Sequence, residues 1–200
     1  MKKKILIVLT VVLLLMPASV FAGDLFGLQL GVSATYLQYV DLNEEFALDP
    51  TDLTLDDFYF GGDIRFNVSL FEVSSVILPI EYGELENGDY YMSAYVFPGA
   101  GVSLELLGLV DVAATVGPAF AVAASTGGLF YSDLEYGVAN LPLWGRLAAD
   151  VNLGPVSVGA YFLTSTNLRL GEILDPSFDP AEIQVPSTGF LGLSATFNLL

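Results

Sequence analysis

FYFGGDIRFNVSL, residues 58–70, decides how this chain is read. Every second residue gives Phe58, Phe60, Gly62, Ile64, Phe66, Val68 and Leu70; the residues between give Tyr59, Gly61, Asp63, Arg65, Asn67 and Ser69. A strand sends successive side chains to opposite faces, so one face here is apolar and the other polar, with an acid two residues from an arginine. Alternation of this kind fits any half-buried strand. Its recurrence along the chain, bulky apolar residues on one face and Gly, Ser, Thr, Asn and a few charges on the other, fits a transmembrane barrel with a polar interior.

The start of the chain reads differently. Lys2, Lys3 and Lys4 precede an apolar run, Ile5 to Met16, and Val20-Phe21-Ala22 offers small residues where a signal peptidase reads. This predicts a secretory signal peptide over residues 1–22, cleaved after Ala22, and one domain over residues 23–200. The run is too short for a spanning anchor. After cleavage no lysine remains, and Arg65, Arg146 and Arg169 stand against 23 acidic residues, a formal charge of −20. Nucleic acid is excluded as a partner, because phosphates need cations. With no cysteine there are no disulfides and no thiolate chemistry. No later run approaches the ~20 apolar residues of a spanning helix. An exported, apolar chain without such a helix is expected in a bacterial outer membrane, surrounded by lipid.

Outward from the opening stretch, strands are predicted over about 25–40, 58–70, 75–83, 90–106, 110–124, 141–153, 156–167 and 187–199. That is an all-β, eight-stranded, antiparallel up-and-down transmembrane β-barrel. Val76, Leu78, Ile80 and Tyr82 are assigned to the outer face of the third strand after a turn near 71–74. Links after strands two, four and six are short, and most of the others are long. This is the asymmetry of outer-membrane barrels, with short turns periplasmic and long loops extracellular. Tyr36, Phe58, Tyr82 and Phe162 near the loops, and Phe26, Phe71 and Phe197 near the turns, are candidates for aromatic belts. The structural rival is a soluble lipocalin-like barrel, apolar inside; the uncharged face of each strand is also the fuller apolar one, which favours lipid outside.

With its eight alternating strands and a last strand GLSATFNL, residues 192–199, the chain resembles the small eight-stranded bacterial outer-membrane barrels of the OmpA transmembrane-domain, OmpX and OmpW type. The resemblance implies that the barrel assembly machinery reads the last strand. The chain departs by ending in Leu199-Leu200, where many members end in Phe. It implies an architecture and no specific activity.

Two interior features could carry function. Asp63, Glu81 and Asp150 against Arg65 and Arg146 make a set of lumen ion pairs, since a buried charge needs a partner. A turn over 71–75 would place Arg65 opposite Glu81. Eight strands leave room only for side chains, and Tyr91, Tyr95, Phe97, Trp144 and Tyr161 are assigned inward, so a plugged lumen is expected over an arginine-gated pore. Second, if Leu106 pairs with Val110, Pro98 and Pro118 lie opposite one another on neighbouring strands. Proline donates no ladder hydrogen bond, and a barrel has no edge to hide it on. These prolines are a candidate lateral seam at mid-membrane height, passing a small hydrophobic ligand.

Outside, sixteen of the 23 acidic residues fall in the long loops, with Arg169 alone among them. A solvated, anion-repelling surface is the expectation; the calcium alternative lacks calcium-loop spacing, so no metal site is assigned. No histidine, cysteine or mature lysine means no usual base or activated nucleophile, so no enzyme and no cofactor is expected. The expected role is structural or surface-contact, for a monomer; the alternative is a narrow channel or lateral-gate transporter.

Overall fold

A computed structural model describes residues 26–36, 40–41, 54–85, 88–126, 128–133, 137–179 and 188–199. The predicted leader, the ends of the first predicted strand at 25 and 37–39, most of the first acidic loop, Asn87 of the Asn87-Gly88 turn, residues 180–187 and Leu200 lie outside the described residues.

The strands are β1 (Phe26–Tyr36), β2 (Val40–Asp41), β3 (Phe58–Val68), β4 (Phe71–Glu84), β5 (Tyr90–Leu106), β6 (Val110–Pro118), β7 (Phe120–Ser125), β8 (Gly128–Ser132), β9 (Pro142–Asn152), β10 (Val156–Arg169) and β11 (Thr188–Asn198). All pairings are antiparallel, and the wall runs β1-β3-β4-β5-β6-β9-β10-β11. It closes where β1 meets β11, from Gln29 opposite Asn198 to Thr35 opposite Gly192. The wall therefore has eight staves and no open edge, which removes the unpaired backbone groups that neither water-free lipid nor a stable sheet tolerates. β7 continues the β6 stave beside β5 beyond Ala119, β8 folds back on β7, and β2 extends the sheet from β11.

Burial divides the two faces along most of the wall, although near the loop end Ala94, Leu143 and Phe162, outward by register, are buried as well. Along β3, Asp63 and Arg65 are buried while Phe60, Ile64 and Phe66 are exposed. The same holds for buried Ser194 and Thr196 against exposed Leu193 and Phe197 on β11. The barrel is thus apolar outside and polar inside, the inverse of a water-soluble fold.

Three turns set the register. Gly154-Pro155 joins β9 to β10, with Leu153 N–H donating to the Val156 carbonyl at 2.8 Å and Gly154 at φ +86°. A glycine at the first central position is the requirement of a two-residue hairpin of this hand. Leu107-Gly108-Leu109 joins β5 to β6. The β3–β4 link is tighter than the sequence suggests. Val68 pairs with Phe71, so Ser69-Leu70 is the whole turn, with Ser69 at φ +55°.

That shorter turn corrects the third predicted strand. β4 begins at Phe71, and Glu72, Ser74, Val76 and Leu78 face the interior, each buried. Val76 and Leu78 were expected outside. The faces are restored by a bulge: Pro79 pairs with Ala94 but Glu81 with Ser93, leaving Ile80 extra, so Tyr82 does point outward. The fifth predicted strand is also divided, into β6 and β7, at Ala119.

Three layers fill the lumen. At the turn end, Asn152 donates to Asp111 at 3.0 Å and accepts from Ser157. The middle holds the charges. Toward the loops, Val76, Leu78, Tyr161 and Leu163 are buried together, with Phe97, Trp144 and Phe190 packed against them. Trp144 stacks on Phe190 at 5.9 Å between centroids and meets Phe97 at 5.2 Å.

Candidate functional site

The charged layer is assembled from four staves. Asp63 and Arg65 share the inner face of β3 because they are two residues apart. Glu72 on β4, Arg146 and Asp150 on β9, and Ser194 on β11 bring the rest. Arg65 Nε donates to Asp63 Oδ1 at 3.1 Å and its Nη2 to Asp63 Oδ2 at 2.7 Å. Its Nη1 donates to Asp150 Oδ2 at 2.5 Å, and Nη2 also reaches Ser194 Oγ at 2.9 Å. Ser194 in turn donates to Asp150 Oδ1 at 3.1 Å. One guanidinium thus ties three staves, using the fork geometry that lysine lacks.

Arg146 is held less completely. Its Nη2 donates to Asp63 Oδ2 at 2.7 Å, and its guanidinium lies 5.1 Å from the centroid of Tyr161. Its Nη1 approaches Glu72 Oε1 only to 3.6 Å, an ion pair without a hydrogen bond. Tyr161 is fixed by a 2.6 Å hydrogen bond to Thr35. Three carboxylates therefore face two guanidiniums in a water-poor layer, where unpaired charge is expensive.

Four of the five expected lumen charges, Asp63, Arg65, Arg146 and Asp150, come together here. Glu81 does not. Arg65 lies opposite Ser74, and Glu81 sits above the bulge, exposed, accepting from Tyr91 Oη at 2.7 Å. Its place in the layer is taken by Glu72, which falls within the turn expected from the sequence but lies in β4. The missing signal was the turn itself, since Ser69-Leu70 carries neither Gly nor Asn.

Pro98 and Pro118 occupy equivalent heights. Leu106 pairs with Val110, and the register continues unshifted from Ala100 opposite Val116 to Val96 opposite Phe120. Between those pairs, residues 97–99 and 117–119 have no ladder partners across this seam. The staves stay close: a Cβ on Gly117 would stand 1.9 Å from the Pro98 carbonyl oxygen. Only glycine permits that approach. Ala119 N–H is satisfied from the other side, by the Pro142 carbonyl at 2.9 Å.

At the loop end, short caps order the chain. Asp57 accepts from the backbone N–H of Thr54 at 2.7 Å and from its hydroxyl at 2.9 Å, and these bonds hold the Asp57 carboxyl below its ordinary pKa. Ser177 N–H and hydroxyl do the same for Asp175. Among the described residues no group of three or more His, Cys, Asp or Glu side chains is placed to hold a metal ion.

No protein-family model matches the chain, and no curated protein matches it. Solved structures do. It is similar to Ail, the attachment invasion locus protein of Yersinia pestis, solved in complex with the heparin analogue sucrose octasulfate, at 12% identity and a TM-score of 0.44 over 87% of this chain and 97% of that one. A structure of Ail described without that ligand gives 13% identity and a TM-score of 0.43 over the same shares. Neisserial surface protein A gives 10% identity and a TM-score of 0.40 over 86% of this chain and 95% of that one. By its own strand order and register, this chain is a closed, eight-stranded, antiparallel β-barrel.

Proposed function

We propose that the chain is a non-enzymatic outer-membrane protein whose barrel anchors long acidic loops at the cell surface. The observation that carries the reading is the inverted burial: Leu147, Val32 and Leu193 stand in the open while Asp63, Arg65 and Asp150 are enclosed. Only hydrocarbon makes that arrangement stable. Lipid is its surrounding partner, and the last strand is the segment offered to the barrel assembly machinery. Around the loop end the described acids include Asp56, Asp57, Glu84, Asp89, Asp133, Glu172, Asp175 and Asp179, against Arg169. Such a rim repels sulfated and phosphorylated polymers and attracts cationic partners. A monomer fits a wall whose edges are already paired.

The lumen supports a structural rather than conducting role. The buried Arg65–Asp63–Asp150 layer and the apolar layer above it support an axis closed twice in series. In planar-bilayer recording, purified protein should give no unitary conductance steps; stable, reproducible openings would overturn the plugged-lumen reading.

The ladder break at Pro98 and Pro118 favours a second reading, lateral passage of a small hydrophobic molecule. Pro98 lies eight residues above Leu106, about 21 Å along the membrane normal for a typical strand tilt. That is near the upper edge of a ~25 Å hydrophobic band, not its middle. Phe97, on the seam, contacts Trp144 inside. Replacing Pro98 and Pro118 together by Ala restores two N–H donors. The lateral reading expects uptake of an apolar dye such as N-phenylnaphthylamine into proteoliposomes to fall several-fold; unchanged uptake removes it.

A further inference from the structure

On either side of the bulge, the lumen face of β4 and β5 carries an arrangement that the membrane wall does not require. Tyr91, Ser93 and Tyr95 follow one another on that face of β5, two residues apart. Glu81 lies directly opposite Ser93, the residue between the two tyrosines on that face of β5. Tyr91 donates to Glu81 Oε1 at 2.7 Å. Its ring lies across Gly83, where a Cβ would stand 2.7 Å from the ring. The tyrosine is therefore seated by a glycine and aimed by a carboxylate. Tyr95 is 44% exposed although it shares its face with the packed Phe97, whose ring is 6.1 Å away. On the neighbouring β7, Ala121 and Ala123 stand opposite Tyr95 and Ser93, so no long side chain of β7 pairs with them.

An exposed tyrosine on the same lumen face as a carboxylate that is itself held by a second phenol suits one class of ligand. The ring quadrupole attracts a diffuse cation, the carboxylate supplies the counter-charge, and weakly hydrated ammonium or guanidinium groups lose least on leaving water. We propose that Tyr91, Tyr95 and Glu81 form a binding site for organic ammonium or guanidinium cations at the loop end of the barrel. The acidic rim around it raises the local concentration of such cations and excludes anions. The site lies on strands rather than on loops, so its geometry is set by the barrel.

Trp144 is the chain's single tryptophan and reaches the site through the rings of Phe97 and Tyr95, which makes its emission a reporter. The probe is choline, with 3,3-dimethylbutan-1-ol as the neutral compound of the same shape. Titrations of the full barrel in detergent, read by Trp144 emission and by calorimetry, should show saturable choline binding and none for the alcohol. Tyr95→Ala should weaken choline roughly three- to thirty-fold, the span of a cation–π contact, and Glu81→Gln should weaken it too by removing the counter-charge, while Tyr95→Phe keeps most of it. Both positions are exposed, and unchanged circular dichroism establishes that the variants are folded. No saturable heat or emission change overturns the site, as does equal binding of the alcohol. Choline binding unaffected by Tyr95→Ala and Glu81→Gln overturns it too, by assigning the cation to diffuse attraction at the rim.

Discussion

Replacing Arg65 by Ala should cost about 3–5 kcal/mol of unfolding free energy, the largest single-residue effect in the barrel. Arg65 is 2% exposed, and its three nitrogens bond Asp63, Asp150 and Ser194. Its removal leaves Asp63 with Arg146 alone and Asp150 with only the Ser194 hydroxyl among the bonds described above. The penalty comes from carboxylates left without a counter-charge more than from the lost bonds. Arg146→Ala should cost less, because Arg65 still holds Asp63 and the contact to Glu72 is already long at 3.6 Å. Urea titration of the folded barrel in lipid vesicles measures both. A loss below about 1 kcal/mol for Arg65→Ala would mean that the charged layer is solvated and the lumen open.

The fold was legible where the sequence alternates without interruption. The two faces of β3 and β11 read correctly because a period of two leaves a strand only two settings, and the bulky apolar set chooses between them, although the second predicted strand ran on through Ser69 and Leu70, which form the turn. β4 was misread at its start for the same reason in reverse. Ser69-Leu70 gives no turn signal, so the strand was begun four residues late, and Val76 and Leu78 were assigned by hydrophobicity to the lipid. They belong instead to the apolar layer that caps the charges. An eight-stranded lumen needs some greasy filling, and composition cannot tell it from the outer wall. The misplacement of Glu81 followed directly, and so did the omission of Glu72. The bulge at Ile80 then hid the error, since it returned Tyr82 to the face expected of it. The opposition of Pro98 and Pro118 needed only a count back from the Leu106–Val110 turn. That no ladder partners are found there, while Gly117 keeps the staves in contact, could be read only from coordinates.

The account rests on hydrocarbon covering the outer wall, and Leu147→Arg in lipid vesicles tests that most directly. Leu147 points outward on β9, is 56% exposed, and lies five residues above Asn152, about 13 Å from the turn end and so near mid-bilayer. A guanidinium there must leave water or distort the lipid, so the unfolding free energy should fall by about 2–4 kcal/mol. On the surface of a soluble barrel the same exposed substitution would change stability by no more than about 0.5 kcal/mol. The larger loss is the result expected; a change within the smaller bound would contradict the membrane-facing wall and every role assigned through it.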